Sequence, residues 1–187
     1  MTRGLDLGGQ RSDAAAYRLA VADFGAFYEQ TYQAAYRTAL GIVRDSALAA
    51  DVTQDAYVSA YRHRSRFRGD APAQAWLHRI VVNTALAAMR RRRHVEQIPA
   101  ASLSTAADAS SGAIARLVVT DALDRIPPRQ RAAVVLRYYH DYDYATIAQI
   151  LGTTSSNVGA ILTRSLDRLQ AAIERGGAAR GGAVSHE

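Results

Sequence analysis

Apolar residues recur at three- and four-residue steps through two stretches of this chain, and the segment between them cannot build a core. In the first stretch Phe24, Phe27, Tyr28, Tyr32, Ala35, Tyr36, Ala39 and Leu40 fall on one side of a 3.6-residue helix. A second helix follows Asp45–Ser46, with Ala50, Tyr57, Val58 and Tyr61 as its expected core positions. Gly69 and Pro72 mark FRGDAPA (67–73) as a loop. Trp76, Leu77, Ile80, Val81, Thr84, Ala85 and Ala88 then make a third apolar stripe. No segment alternates strictly between apolar and polar residues, so the chain is expected to be all-α.

The pattern breaks at 95–117. Pro99, the run ASLSTAADASSG and Gly112 offer little to bury, which predicts a flexible linker between two small helical domains, 17–94 and 118–175. The second block opens with Val118, Val119, Ala122, Leu123 and Ile126 and pauses at Pro127–Pro128. Pro128 suits the first position of a helix, where a missing N–H costs nothing. That helix carries Ala132, Val135, Leu136 and Tyr139 and ends near His140–Asp141. Residues 1–16 and 176–187 are expected to be disordered tails.

Composition narrows the chemistry. The chain has no Cys, so disulfides, thiolate nucleophiles and cysteine-ligated metals are excluded. The five histidines (63, 78, 94, 140 and 186) are scattered without metal-ligand spacing and are expected at the surface; no cofactor and no catalytic constellation is expected. No apolar run approaches the ~20 residues of a membrane helix, and the first residues lack a signal-peptide core, so a cytoplasmic protein without membrane insertion is expected.

Charge is unevenly placed. Residues 60–94 hold nine Arg against Asp70 alone, a net of +8 in a chain whose total is +6. Just upstream, residues 40–59 set Arg44 against Asp45, Asp51 and Asp55. Neighbouring acidic and basic segments suggest two partners of opposite charge.

The sharpest local motif is YATIAQILGTTSSNVGAILTRSLDRL (144–169). Ala145, Ile147, Ala148 and Leu151 give a short helix closed by Gly152, a natural left-handed C-cap. Thr154 can cap a second helix whose buried stripe is Val158, Ile161, Leu162 and Leu169. Two helices joined by such a turn form a helix-turn-helix, with the second able to enter the major groove.

These segments, in this order, resemble the extracytoplasmic-function group of bacterial RNA polymerase sigma factors, which consist of a sigma-2 and a sigma-4 domain. AADVTQDAYVSAYR (49–62) resembles the group's acidic core-binding helix, FRGDAPAQAWLHRIVVNTALAAMRRRR (67–93) its promoter-melting and −10-reading segment, and ALDRIPPRQRAAVVLRYYHDYDYATIAQILG the start of sigma-4. The resemblance implies that Asp51, Gln54 and Asp55 face the clamp helices of the polymerase β′ subunit, and that sigma-4 meets the β flap. It implies DNA contacts from Phe67, Arg68, Asp70, Arg79 and Asn83, with Arg90, Arg91, Arg92 and Arg93 holding phosphates. Trp76 would be mostly core. Ser155, Ser156, Asn157, Thr163 and Arg164 would read the −35 element, while Gly159 and Ile161 stand where the group commonly carries basic residues.

The implied partners are core RNA polymerase and promoter DNA, with room for an anti-sigma factor. Promoter melting would draw on the binding of unpaired bases rather than on nucleotide hydrolysis. The alternative, a stand-alone helix-turn-helix regulator, accounts for 144–169 but not for the acidic-then-basic arrangement of 49–93.

Overall fold

The computed structural model describes residues 22–69, 71–96 and 123–181. Among these are six α-helices: α1 (Phe24–Val43), α2 (Ser46–His63), α3 (Ala73–Glu96), α4 (Pro128–Tyr138), α5 (Tyr144–Leu151) and α6 (Ser155–Gly181). Of the expected linker, residues 95 and 96 still belong to α3, and 97–117 lie outside the described residues, as do 1–16. At the other end α6 continues to Gly181, six residues into the stretch expected to be a tail. Once nucleated, a helix gains one hydrogen bond per added residue, and Ala178 and Ala179 are strong helix formers.

Capping chemistry sets the helix starts. Asp23 accepts from the Ala26 amide at 3.2 Å, Asp45 from Leu48 at 3.0 Å and Asp143 from Thr146 at 2.7 Å. Each such side chain satisfies an amide that would otherwise lack a partner, a contribution of about 1 kcal/mol. The hydrogen bonds from Thr146 hold the Asp143 carboxyl below its ordinary pKa. Pro128 occupies the first turn of α4, as its position in the sequence predicts.

Within the N-terminal block the core side of α2 differs from expectation. Ala49, Val52, Ala56, Tyr57 and Ala60 are buried, whereas Ala50 is exposed and Val58 and Tyr61 are 44% and 50% exposed. Small residues at steps of three and four let α2 lie close against α1 and α3, and Val58 and Tyr61 are turned outward. Thr31 is buried on α1, donating to the Phe27 carbonyl and lying 2.7 Å from the Tyr57 hydroxyl. Burial of Tyr57 pushes its pKa up to about 12.

The two blocks do not stand apart. α4 packs across α1 and α5 across α3, and buried residues from both blocks form one continuous core. Gly41 permits the approach: a Cβ there would lie 2.7 Å from Cγ2 of Val135 on α4. Arg44, held in a left-handed conformation at the end of α1, reaches across to Asp124 at 3.1 Å. On α4, Ala132 and Leu136 are buried as expected, but Val135 is only partly buried and Tyr139 is 47% exposed, while Arg131 is 4% exposed.

Two histidines expected at the surface are instead part of this junction. His78 on α3 is fully buried, and its ring centroid lies 4.0 Å from that of half-buried His140. Desolvation arises because α3 meets the 139–143 turn, a juxtaposition of residues 62 positions apart that no local pattern announces. Of the others, His63 and His94 are exposed, and His186 lies outside the described residues.

Candidate nucleic-acid interface

Asp51, Gln54 and Asp55 are all exposed on α2. Their spacing continues through Val58, Tyr61 and Arg62, so they share one stripe of the helix. Beside that stripe runs an aromatic groove of about 430 Å³, lined by Phe24, Tyr28, Tyr32, Tyr57, Val58 and Tyr61 among others. Tyr28 is 41% exposed, and its ring meets Tyr57 at 4.7 Å. The sequence reading assigns Tyr28, Val58 and Tyr61 to the core and so misses this groove. The signal that could have revealed it is the Ala49, Ala56, Ala60 series, which already supplies α2 with a buried side.

The second element is the 67–72 loop with α3. Phe67 is 9% exposed, because its ring packs on half-buried Trp76 at 5.0 Å between centroids. Arg68 is exposed, and Asp70 lies outside the described residues. Arg79, Asn83 and Arg90 are exposed at spacings of four and seven, one line along α3. Arg91, Arg92 and Arg93 are also exposed, with Arg92 3.3 Å from Asp45. A cleft of about 440 Å³ opens between this segment and α5; Arg66, Phe67, Arg68, Trp76 and Arg79 line one wall, and Thr146, Gln149 and Ile150 the other.

The third element is the pair α5 and α6. Gly152 closes α5 at φ 60°, a left-handed value that favours glycine, and Thr153 returns its amide to the Ala148 carbonyl at 2.9 Å. Thr154 then accepts from the Asn157 amide at 3.2 Å. Val158, Ile161 and Leu162 turn inward, and Ser155, Ser156, Asn157, Thr163 and Arg164 are all exposed. Asn157 donates from its side chain to Thr153 Oγ1 at 2.7 Å, and Arg164 Nε donates to the Ala160 carbonyl at 3.0 Å. Ile161 is 5% exposed and belongs to the core. A Cβ on Gly159 would meet only the Tyr144 ring, at 3.5 Å, an ordinary contact.

Family comparison bears on both halves. The profile described as Sigma-70 region 2 matches residues 27–95, and that described as Sigma-70, region 4 matches residues 116–169. The ECF RNA polymerase sigma factor SigM of Mycobacterium tuberculosis is 35% identical over 164 residues, covering 86% of this chain and 84% of the relative. The chain belongs to the ECF RNA polymerase sigma factors.

Other relatives of this sigma factor agree. The RNA polymerase sigma-E factor of Streptomyces avermitilis is 30% identical, over 82% of this chain and 87% of the relative. In fold the sigma factor is similar to RpoE, solved with the anti-sigma factor NepR from Bartonella quintana, at a TM-score of 0.70 and 23% identity, covering 81% of this chain and 97% of that one. It is also similar to CnrH, solved with the cytosolic domain of CnrY, at a TM-score of 0.65 and 22% identity, covering 88% and 98%. A stand-alone helix-turn-helix regulator would leave the region 2 match unexplained. Among the described residues no helix of this sigma factor is long and apolar enough to cross a membrane, and no group of three or more His, Asp or Glu could hold a metal ion.

Proposed function

We propose that this chain binds core RNA polymerase through the acidic stripe of α2 and directs promoter-specific initiation with two separate DNA-reading surfaces. Asp51, Gln54 and Asp55 meet basic side chains of the β′ clamp helices, and the aromatic groove beside them receives apolar side chains of the same partner. The observation that carries this reading is the exposure of those three residues on one stripe bordered by Tyr28, Val58 and Tyr61. Large aromatic residues left uncovered next to charged groups are a feature of protein interfaces rather than of solvated helices.

The 67–72 loop and α3 engage the −10 element, with Arg79 and Asn83 near the bases and Arg90 to Arg93 on phosphates. The outer side of α6 engages the −35 element. No bond is made or broken: binding of unpaired bases and backbone draws the duplex open, and polymerase supplies much of the contact area.

The test uses the full chain and core polymerase. On size-exclusion chromatography the two should co-elute in a stoichiometric complex, and the complex should give run-off transcript from a promoter carrying both elements. Failure to form that complex would overturn the reading and favour a regulator that binds DNA alone.

A further inference from the structure

The junction between the two blocks sets α5 opposite a surface that the proposed function requires to be open. α5 supplies one wall of the cleft whose other wall is Arg66, Phe67, Arg68, Trp76 and Arg79. With Thr146, Gln149 and Ile150 as its second wall, the cleft beside the −10-reading segment is confined to about 440 Å³.

A cluster of rings holds α5 in place. His78 of α3 lies against His140, and its Nδ1 is 2.9 Å from the Tyr142 hydroxyl. His140 Nε2 is 2.7 Å from Thr38 Oγ1 on α1, and Tyr142 is stacked on the His140 ring. One turn of chain, residues 139–143, is thereby fixed to both α1 and α3. The Nε2 of His78 is buried with no hydrogen-bond partner. Once both ring nitrogens of His78 carry a proton, the N–H at Nε2 finds no acceptor, and the resulting cation faces His140.

We propose that docking of the C-terminal block on α1 and α3 is an intramolecular occlusion of the DNA-reading cleft, fastened by the uncharged His78–His140 pair and released when that pair is protonated. The part of the proposal that concerns DNA rests on the function proposed above; the part that concerns opening does not.

Charge around the pair does not favour imidazolium. From α1 comes Arg37, donating to the Tyr139 hydroxyl at 2.9 Å with its guanidinium over that ring. From the end of α4 comes Arg137, held by Asp141 at 3.3 Å and donating to the Tyr142 carbonyl. Arg79 follows His78 on α3, and Asp143 and Tyr144 begin α5. The hydrogen bonds of the two rings go to hydroxyls of Thr38 and Tyr142, not to a carboxylate. Burial, with His140 alongside, pushes the His78 pKa down to about 3, and burial pushes that of His140 down to about 4.

The sign follows. An undocked chain takes up protons on these rings below about pH 6.5, while the docked chain does not, so docking is at full strength above that pH and is lost as pH falls. Each imidazole that regains its ordinary pKa shifts the equilibrium toward opening by roughly 30-fold at pH 5.

The chain lacks Cys, so a dye pair can be placed on the full-length protein at Glu29→Cys in α1 and Gln170→Cys in α6, both exposed. Energy transfer should drop between pH 7 and pH 5 while far-UV circular dichroism holds steady. The double variant His78→Asn, His140→Gln should lose that pH response. Gly41→Ala should lower transfer already at pH 7.5, because the new Cβ presses on Val135 while improving α1 as a helix. Constant transfer across this pH range, an unchanged response in the double histidine variant, or loss of helix together with transfer would overturn the proposal. In parallel, affinity for a single-stranded −10 oligonucleotide should rise at least ten-fold in Gly41→Ala. If transfer falls but affinity does not, the occlusion is refuted, and if the wild-type chain with core polymerase also ignores that oligonucleotide, the −10 reading falls with it.

Discussion

The outer side of α3 and the outer side of α6 are both single-helix surfaces proposed to touch DNA, but they are composed differently. Residues 60–94 carry a net +8, with Arg79, Arg90, Arg91, Arg92 and Arg93 all exposed on α3. Residues 121–175 sum to +1, and the exposed side of α6 presents hydroxyls, Asn157 and Arg164, with Arg168 one turn on donating to Gln130 at 3.0 Å. Arginines on phosphates bind without regard to sequence and weaken steeply with salt, whereas short polar groups and one guanidinium fork can discriminate bases but add little attraction at a distance. On the proposed assignment the contrast places affinity and selectivity on different helices, and leaves α6 dependent on the rest of the assembly to bring it to its site.

That division can be broken or sharpened by substitution. The largest effect is expected upstream of any DNA, at the acidic stripe of α2. Asp51→Arg with Asp55→Arg reverses two charges at a complementary interface, where like charges cost several kcal/mol. Core polymerase binding should fall by at least about 100-fold, measured by pull-down, with circular dichroism unchanged. Next, replacing Arg90 to Arg93 with Gln should lower affinity for every promoter by roughly 10- to 100-fold at moderate salt and flatten the salt dependence by up to about one unit of slope for each phosphate no longer neutralised. A loss confined to promoters of one sequence would show these arginines to be base readers.

Arg164→Ala tests the other side of the comparison. Removing a bidentate hydrogen bond to a base costs about 1–3 kcal/mol, so run-off transcription from a promoter with an intact −35 element should drop by around ten-fold, while a scrambled element shows no further loss. Equal losses on both templates would make Arg164 a phosphate or packing residue. The smallest effect is expected from Gly159→Ala. Nothing closer than Tyr144 opposes the added methyl, so α6 should gain up to about 1 kcal/mol, read as a rise of a few degrees in Tm. If −35-dependent transcription falls while Tm rises, Gly159 is there for close approach to DNA.

What could be read from residues alone depended on how local the physics is. The helix-turn-helix was legible because Gly152, Thr154 and Val158 act within a few residues of one another, through a cap and one left-handed turn. The orientation of α2 was not, because hydropathy weights Val58 and Tyr61 above the alanines that permit close helix contact. The exposed aromatic groove escaped for the same reason. Burial of His78 and His140 lay beyond reach, since it arises where α3 meets a turn more than sixty residues away. The separation into two blocks was legible; their shared core was not, because the apolar surface each block leaves over looks the same whether it meets a partner or its neighbour.

Arg131 carries one more lesson, for how this protein can be dissected. Its side chain is almost wholly enclosed, its pKa is lowered by burial, and its relief comes from the Leu123 carbonyl at 3.2 Å and the Asp124 carboxylate at 3.8 Å. Its Nε has no partner. A buried guanidinium stripped of its acceptors costs several kcal/mol, so the stretch ahead of α4 is a structural prerequisite rather than a trailing end of the linker. A fragment intended to isolate the C-terminal half must therefore begin upstream of Leu123, even though the helix-turn-helix itself starts some twenty residues later.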